Sequence, residues 1–406
     1  MKYQVGGDAD RTLMVTRMTS VSIALESHGM TPARGFLPDR DPLTELPRGF
    51  EPWEEVARDL GKLLVAGRAR RAIAALPMLG AGGLEDERAL RRAMVILSFL
   101  GHATVWGEDP PLPRVPECLA VPWCAVAARL GRPPILSYAS YALDNWRRID
   151  PDGPIDLDNI AIVQNFLGGA DEDWFIGIHV EAEAKAAPAL REIPRALSAA
   201  AAQDEDALAA SLAGIARALE SVVAVLRRMP EFCDPYIYYR RVRPYIHGWK
   251  DNSVVPEGIV YEGVAAFAGK PQMFRGETGA QSGIVPALDA ALGVVHGDDP
   301  LRRYLIEMRD YMPPNHRAFV EAVEAAPSIR AFVETRGAGS DARRAHDACL
   351  RWLESFRSVH LEFAASYIND QSETGPANAT AVGTGGTPFM AYLKKHRDDC
   401  VLDPVG

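Results

Sequence analysis

The most regular pattern of apolar positions lies in the middle of the chain and predicts a long helix over residues 204–229. Spacings of four and three residues put six apolar side chains on one stripe of a 3.6-residue helix: Leu208, Leu212, Ile215, Leu219, Val222 and Leu226. Acidic residues near its start and Arg227 and Arg228 near its end complement the helix dipole. Pro230 cannot continue the helix. We therefore expect an amphipathic helix with a buried stripe.

Most other segments also favour helix. Ala-, Leu- and Glu-rich stretches at 180–202, 301–312, 317–325 and 340–368 have high helix propensity, and helices are expected with breaks between Trp53 and Trp106. Only residues 258–266 have the β-branched and aromatic content of a strand. Two proline-rich stretches, 35–52 and 110–116, predict extended, turn-rich connections. The predicted fold class is mainly α.

Composition and charge narrow the possible functions. The chain has 406 residues, of which 48% are hydrophobic and 24% charged, as in a folded globular protein. Its formal net charge of −10 disfavours nucleic acid as a partner, because phosphate binding needs clustered positive charge. A chain longer than roughly 250–300 residues tends to divide into domains. We expect two, at residues 1–167 and 168–406.

Cysteine usage and hydropathy indicate a compartment. The five cysteines are odd in number and form no CxxC pair, which is typical of reduced thiols in the cytoplasm. No stretch reaches the 18 or more apolar residues of a membrane span by inspection, so no membrane partner is expected.

Two glycine-bearing loops stand out in the second half of the chain. Residues 274–283 follow the predicted strand, and residues 370–387 consist largely of small residues. Both could bind anions through backbone amides, but neither has the spacing of a dinucleotide or Walker loop. The pattern leaves open whether 370–387 is a linker or a mobile functional lid.

His360 is the most informative single residue. It falls within an apolar stripe of the predicted helix over 340–368, formed by Cys349, Leu353, Phe356, His360, Phe363 and Tyr367. A histidine on a buried face is either a core residue bonded to a backbone carbonyl or an axial haem ligand in apolar surroundings. His346 lies too far along the helix to share an ion with His360, and we expect it at the surface beside Asp347.

Two aromatic clusters offer further candidates. In the segment 236–250, Tyr239 and Arg243 are four residues apart and share a helix face, which suits an apolar amino acid with a carboxylate or, alternatively, an Arg–aromatic interface. Trp174 and Phe175 lie in an apolar segment that core packing would also explain. No nucleophile elbow is present, so hydrolase chemistry is disfavoured.

These segments together resemble the indoleamine 2,3-dioxygenase family, haem enzymes that insert both atoms of O2 across the indole C2–C3 bond of tryptophan. The resemblance runs from residue 35 to Lys394. It is carried by GFLP and DPL at 35–43, ILSYA at 135–139, NW at 145–146, GWK at 248–250, the loop 274–282, YMPPNHR at 311–317, FRSVH at 356–360 and GTGGT at 383–387.

The resemblance implies an all-helical, two-domain haem dioxygenase fold. A larger C-terminal bundle would hold haem b, and a smaller N-terminal domain would cover the pocket on the distal side, where O2 binds. His360 would be the proximal iron ligand, and Arg243 would bind the substrate carboxylate. Tyr238 and Tyr239 replace the family's phenylalanine pair and make the indole wall more polar.

The remaining assignments also come from the resemblance. Tyr138 and Tyr141 would roof the distal pocket, Trp174 and Phe175 would form its aromatic side, and the distal small residue would be Gly177 or Ile178. Thr278, Gly279 and Arg357 would contact the haem. In the mobile loop, Thr384 and Gly385 would close over substrate and haem. No distal histidine or carboxylate is expected, and therefore no general base.

The function implied is oxidation of L-tryptophan to N-formylkynurenine, the first step of the kynurenine pathway, with O2 as co-substrate. Two alternatives stay open: an enzyme on the same scaffold that acts on another indole in a biosynthetic route, and a haem-binding or sensor protein without turnover. The carboxylate-binding arginine and the lid disfavour the sensor. The expected partner is a small indole, and the protein is expected to be a monomer or weak oligomer.

Overall fold

A computed structural model describes residues 23–337, 339–372 and 389–401. Its α-helices are α1 (Glu51–Arg58), α2 (Leu60–Val65), α3 (Ala69–Ala74), α4 (Glu87–Trp106), α5 (Glu117–Leu130), α6 (Ala170–Ala201), α7 (Glu205–Leu226), α8 (Pro235–Ile237), α9 (Arg243–Ile246), α10 (Ile284–Leu292), α11 (Pro300–Met308), α12 (Pro314–Glu324), α13 (Ile329–Glu334), α14 (Asp341–Ala364), α15 (Asp370–Ser372) and α16 (Phe389–Val401). Short 3₁₀ and π turns connect them. The mainly α prediction is confirmed.

The predicted helix over 204–229 is confirmed as α7. The side chain of Asp204 caps it by accepting a hydrogen bond from the Ala207 amide at 3.0 Å. Its apolar stripe is buried between α6 and α14, with Leu212 and Ile215 fully inaccessible to solvent. The Cys349 thiol on α14 donates to the Leu212 carbonyl at 3.1 Å. Packing of these three helices forms the centre of the C-terminal half.

The same helix corrects the expectation that no stretch could span a membrane. By length and composition, residues Glu205–Glu231 are apolar enough to do so. More than half of their most apolar window is buried inside the protein, as in the core helix of a globular protein. The apolar character of α7 is therefore explained by packing against α6 and α14.

Four short strands complete the described structure. Strand β1 (Arg114–Val115) pairs in parallel with β4 (Val260–Tyr261), and β2 (Trp146–Arg148) pairs antiparallel with β3 (Ile160–Ile162). Within the predicted strand 258–266 only Val260–Tyr261 forms a strand, and a 3₁₀ turn follows at Ala265–Phe267. The other three strands were not predicted, since two or three residues are too few to show an alternating pattern.

Three apolar cores underlie the architecture. The first joins residues from α1–α5 with others from 246–311, the second lies among α6, α7, α10, α12, α13 and α14, and the third is a smaller cluster around Ile178, Val223 and Val359. Helix α6 contributes buried residues to all three. The boundary at residue 167 stays a prediction.

Three π-helical turns, Ala139–Leu143, Tyr238–Val242 and Ala365–Asn369, interrupt the regular helices. Each contains a tyrosine or directly follows one, and Tyr138, Tyr238 and Tyr367 at these turns all line one cavity. π turns are rare and concentrate at functional sites, because the extra residue redirects side chains. This cavity is therefore the strongest candidate for the functional site.

Candidate active site

A cavity of about 730 Å³ lies between α6, α14, the loop 277–282 and the π turn that begins at Tyr238. Its wall is largely apolar, with contributions from Ile178, Val222, Leu226, Phe356 and Phe363. Seven of the predicted site residues line it: Tyr138, Phe175, Tyr238, Thr278, Gly279, Arg357 and His360. The fold thus brings together residues separated by more than 200 positions in sequence.

His360 faces this cavity and not the core, which corrects the expectation of a buried stripe along α14. Cys349 and Leu353 of that stripe are fully buried, but the stripe leaves the core before His360, whose ring is accessible from the cavity. Enclosure by the protein, with a smaller effect from nearby His179, lowers the pKa of His360 to about 4. The imidazole is therefore neutral at pH 7, the form that binds a metal.

His346, in contrast, is buried, although the sequence placed it at the surface. Its side chain is fully inaccessible, and its Nε2 lies 2.9 Å from the carbonyl oxygen of Leu292. It is three residues before Cys349 and so extends the apolar stripe of α14. That spacing was the signal available in the sequence.

His179 is a cavity residue that the sequence analysis missed. Its Nδ1 lies 2.7 Å from the carbonyl oxygen of Phe175, and because a carbonyl can only accept, Nδ1 carries the hydrogen. Burial lowers the pKa of His179, so its other nitrogen, Nε2, is an unprotonated acceptor at pH 7. The sequence analysis expected no distal histidine, and His179 is a second histidine in this cavity.

The same stretch of α6 settles which residues face the cavity. A Cβ on Gly177 would lie 2.9 Å from the Leu157 side chain, so Gly177 packs against a neighbouring loop. Ile178 and His179 line the cavity. Trp174 is not among the lining residues: its indole Nε1 donates to the Arg228 carbonyl at 2.9 Å.

Arg243 and Tyr239 lie beside the cavity without lining it. Arg243 is 1% exposed, and its guanidinium carbon is 5.3 Å from the centre of the Tyr239 ring. Burial lowers the pKa of Arg243, while the neighbouring hydroxyls of Tyr238 and Tyr239 act in the opposite direction. Tyr238 lines the cavity and packs on Phe175, with ring centres 4.6 Å apart. A buried cation therefore lies next to an aromatic cavity wall.

Two buried carboxyls at this site were also missed: Glu277 lines the cavity, and Glu183 lies behind the lining residues Tyr138 and Ser282. Glu183 accepts hydrogen bonds from the Tyr138 hydroxyl at 2.9 Å and the Ser282 hydroxyl at 2.8 Å, and burial raises its pKa to about 7. Burial raises the pKa of Glu277 to about 8. Glu277 stands in the loop sequence GETGAQS, and its burial is not apparent from the sequence.

The remaining predicted site residues lie partly at the cavity and partly away from it. Arg357 lines the cavity, and its guanidinium forms an ion pair with both Asp289 oxygens at 2.8 and 2.6 Å, which joins α14 to α10. Tyr141 is buried, with its hydroxyl 3.3 Å from Glu172, and does not line the cavity. Thr384, Gly385 and most of the loop 370–387 lie outside the described residues.

The family model described as indoleamine 2,3-dioxygenase matches residues 24–401, nearly the whole chain. The chain belongs to the indoleamine 2,3-dioxygenase family. It is 39% identical to indoleamine 2,3-dioxygenase 1 of Mus musculus over 92% of this chain and 94% of that protein. Identity to indoleamine 2,3-dioxygenase 2 of Homo sapiens is 33% over 96% of this chain and 98% of that protein. A 6-hydroxytryptophan 2,3-dioxygenase of Fusarium equiseti is also 33% identical, over 94% of this chain and 98% of that protein.

Membership makes this chain a haem-dependent indoleamine dioxygenase, an oxidoreductase that uses O2. The residues of the cavity fit such a cofactor. His360 presents a neutral imidazole to a largely apolar space, and one imidazole in apolar surroundings can hold haem iron.

Proposed function

We propose that the protein oxidises L-tryptophan with O2 to N-formylkynurenine. The observation that carries the proposal is the presence of two neutral imidazoles, His360 and His179, in one aromatic-lined cavity beside the buried cation Arg243. One imidazole suits the haem iron, and the other suits an indole N–H. A buried guanidinium suits an amino-acid carboxylate.

His360 would hold the haem iron, and haem, when bound, supplies the activation of O2. Both oxygen atoms end in the product, so the overall reaction consumes tryptophan and O2 and needs no further oxidant. The role of the other residues is to orient the indole and exclude water. Arg243 would pair with the carboxylate of the substrate in a bidentate manner.

Nε2 of His179 would accept a hydrogen bond from the indole N–H, because its Nδ1 is already committed to the Phe175 carbonyl. Phe175 and Tyr238, which pack on each other, would form a wall for the flat indole ring. Thr278 and Gly279 would contact haem from the loop of the cavity wall. The roles of Trp174, Tyr239, Tyr141, Thr384 and Gly385 stay predictions from the family resemblance.

A second candidate substrate is a hydroxylated tryptophan. The cavity wall carries the hydroxyls of Tyr138 and Tyr238 and the carboxyl of Glu277, which could pair with an additional substrate hydroxyl. The relative from Fusarium equiseti is named for 6-hydroxytryptophan. In that case the protein would serve a biosynthetic route instead of tryptophan catabolism. We further propose a cytoplasmic location, consistent with five free cysteines.

The test compares the two substrates on the haem-loaded protein under aerobic, reducing conditions. Formation of N-formylkynurenine from L-tryptophan, at a kcat/KM above that for 6-hydroxytryptophan, would support the proposal. The reverse preference would establish the second candidate. A normal Soret band with no product from either substrate would overturn both.

A further inference from the structure

Three potential metal ligands meet near the end of the cavity formed by α10 and α16. His296 follows α10, and His396 and Asp399 lie on α16. One side-chain nitrogen or oxygen from each lies within 4.8 Å of the other two. Nδ1 of His296 is 2.9 Å from a carboxylate oxygen of Asp399. None of the three is needed for the proposed reaction.

The second observation is an unsatisfied imidazole. His396 is only 6% exposed, and its Nε2 is buried with no hydrogen-bond partner in the described part of the chain. Buried side-chain nitrogens nearly always have a partner, because leaving one unpaired has a free-energy cost. His396 belongs to this cluster, so a group that binds its nitrogen would remove that cost.

The surroundings of His296 also match a metal ligand. Its Nε2 lies 3.1 Å from a carboxylate oxygen of Asp289, which is itself fixed by the ion pair with Arg357. A carboxylate that accepts the second ring N–H of a histidine orients that ring toward a metal and raises its basicity. Asp289 therefore leaves Nδ1 of His296 for coordination on the side of Asp399.

We propose that His296, His396 and Asp399 form a binding site for a divalent transition cation, with Zn²⁺ as the best match. Two imidazoles and one carboxylate are typical zinc ligands, and water would complete a tetrahedron. The two rings stack in parallel, with centres 3.9 Å apart and planes at 3°. Parallel rings cannot both point at one ion, so the ring of His396, whose Nε2 makes no hydrogen bond, would rotate on binding.

The ion would fasten α16 to the segment after α10. The described contacts between these parts are the stacked rings of His296 and His396, the hydrogen bond from His296 to Asp399, and the ion pair of Lys395 with Asp299. A cation would replace this hydrogen bond by coordination to both residues and would add His396. The site shares no ligand with His360, so its occupancy can be measured on protein that already contains haem.

The experiment uses the haem-loaded full chain, treated with a chelator and desalted, and then titrated with ZnCl₂ by calorimetry. Haem occupies His360 and so removes it as a competing ligand. We expect one zinc ion bound per chain and retained through gel filtration. His396→Ala and Asp399→Asn should each weaken binding by at least about 10-fold. Asp398→Asn, a neighbour on α16 that pairs with Arg397, is the matched control and should bind as the wild type does.

X-ray absorption at the zinc edge gives an independent readout of the ligands. The proposal requires only nitrogen and oxygen neighbours, near ~2.0–2.1 Å. A sulfur neighbour near ~2.3 Å would assign the ion to a cysteine and overturn the proposed ligand set. Absence of binding in the wild type, or equal binding in both ligand variants and the control, would equally refute it. A variant that lacks the native circular dichroism spectrum is replaced by His296→Gln.

Discussion

At the scale of single residues, the two nitrogens of His179 have different roles. Nδ1 donates to the Phe175 carbonyl, which leaves Nε2 as the acceptor in the cavity. His179→Ala should raise the KM for L-tryptophan about 3–10-fold, since a neutral hydrogen bond contributes about 0.5–1.5 kcal/mol. Steady-state kinetics would measure this, with the Soret band as a control for intact haem binding. Tryptophan methylated at the indole nitrogen should lose no affinity on the same substitution, and an equal loss would contradict the role.

The second residue whose effect can be predicted is Arg243. Arg243→Ala should raise the KM for L-tryptophan about 10–100-fold, because a charge-assisted hydrogen bond contributes about 1.5–3 kcal/mol. The haem spectrum should change little. Arg243→Lys keeps the charge but loses the planar guanidinium, so its KM should lie between those of the wild type and Arg243→Ala. An unchanged KM in Arg243→Ala would show that the carboxylate binds elsewhere.

His179 also shows what the sequence could not supply. The segment 174–180 is apolar on nearly all sides, so its pattern does not indicate which residues face a cavity. The resemblance to the family pointed to Gly177 or Ile178 as the distal small residue. In the structure Gly177 packs against Leu157, and Ile178 and His179 line the cavity. A shift of one or two residues along a helix turns the direction of the side chain by about 100–200° around the helix axis.

At the scale of elements, the long helices were the most predictable features. The stripe of α7 repeats at six positions from Leu208 to Leu226, and repetition makes the pattern specific. Helix α14 was also predicted, but its periodicity did not distinguish a core from a cavity wall. Both environments are apolar, so Leu353 in the core and Phe356 at the cavity look alike in sequence.

The packing of α7 leads to a stability prediction. Leu212 is fully buried between α6 and α14, and Leu212→Ala should lower the free energy of unfolding by about 2–5 kcal/mol. Glu220→Ala, at an exposed position of the same helix, should change it by less than about 0.5 kcal/mol. Urea unfolding followed by circular dichroism would compare them. Equal stability of the two variants would show that α7 is not a core helix.

At the scale of the whole molecule, buried titratable groups make stability depend on pH. Glu277 has a pKa near 8 in the folded chain and an ordinary value of 4.5 when unfolded, so the folded state holds one more proton between these values. Stability therefore falls as pH rises through this window. Burial lowers the pKa values of His102 and His316 to about 3. These two histidines make stability rise with pH, but only below pH 6.5, the ordinary pKa of histidine.

Between pH 6.5 and 8 the loss of the Glu277 proton should therefore outweigh these two histidines in the pH dependence of stability. The wild type should lose about 2 kcal/mol of stability across this interval from Glu277, at about 1.36 kcal/mol per pKa unit. Glu277→Gln should remove that loss and give a flatter profile. Denaturant midpoints at several pH values would measure it. Parallel profiles for the wild type and the variant would show that Glu277 does not keep its proton in the folded protein.

Among the described elements, helix α6 alone supplies buried residues to all three apolar cores. Its 32 residues cannot take their final position until every core has formed around them. Unfolding of any one core would release part of the helix and weaken the other two, so the chain should open as a single cooperative unit. Amide hydrogens along the middle of α6 should then exchange with solvent at one common, slow rate, set by global unfolding.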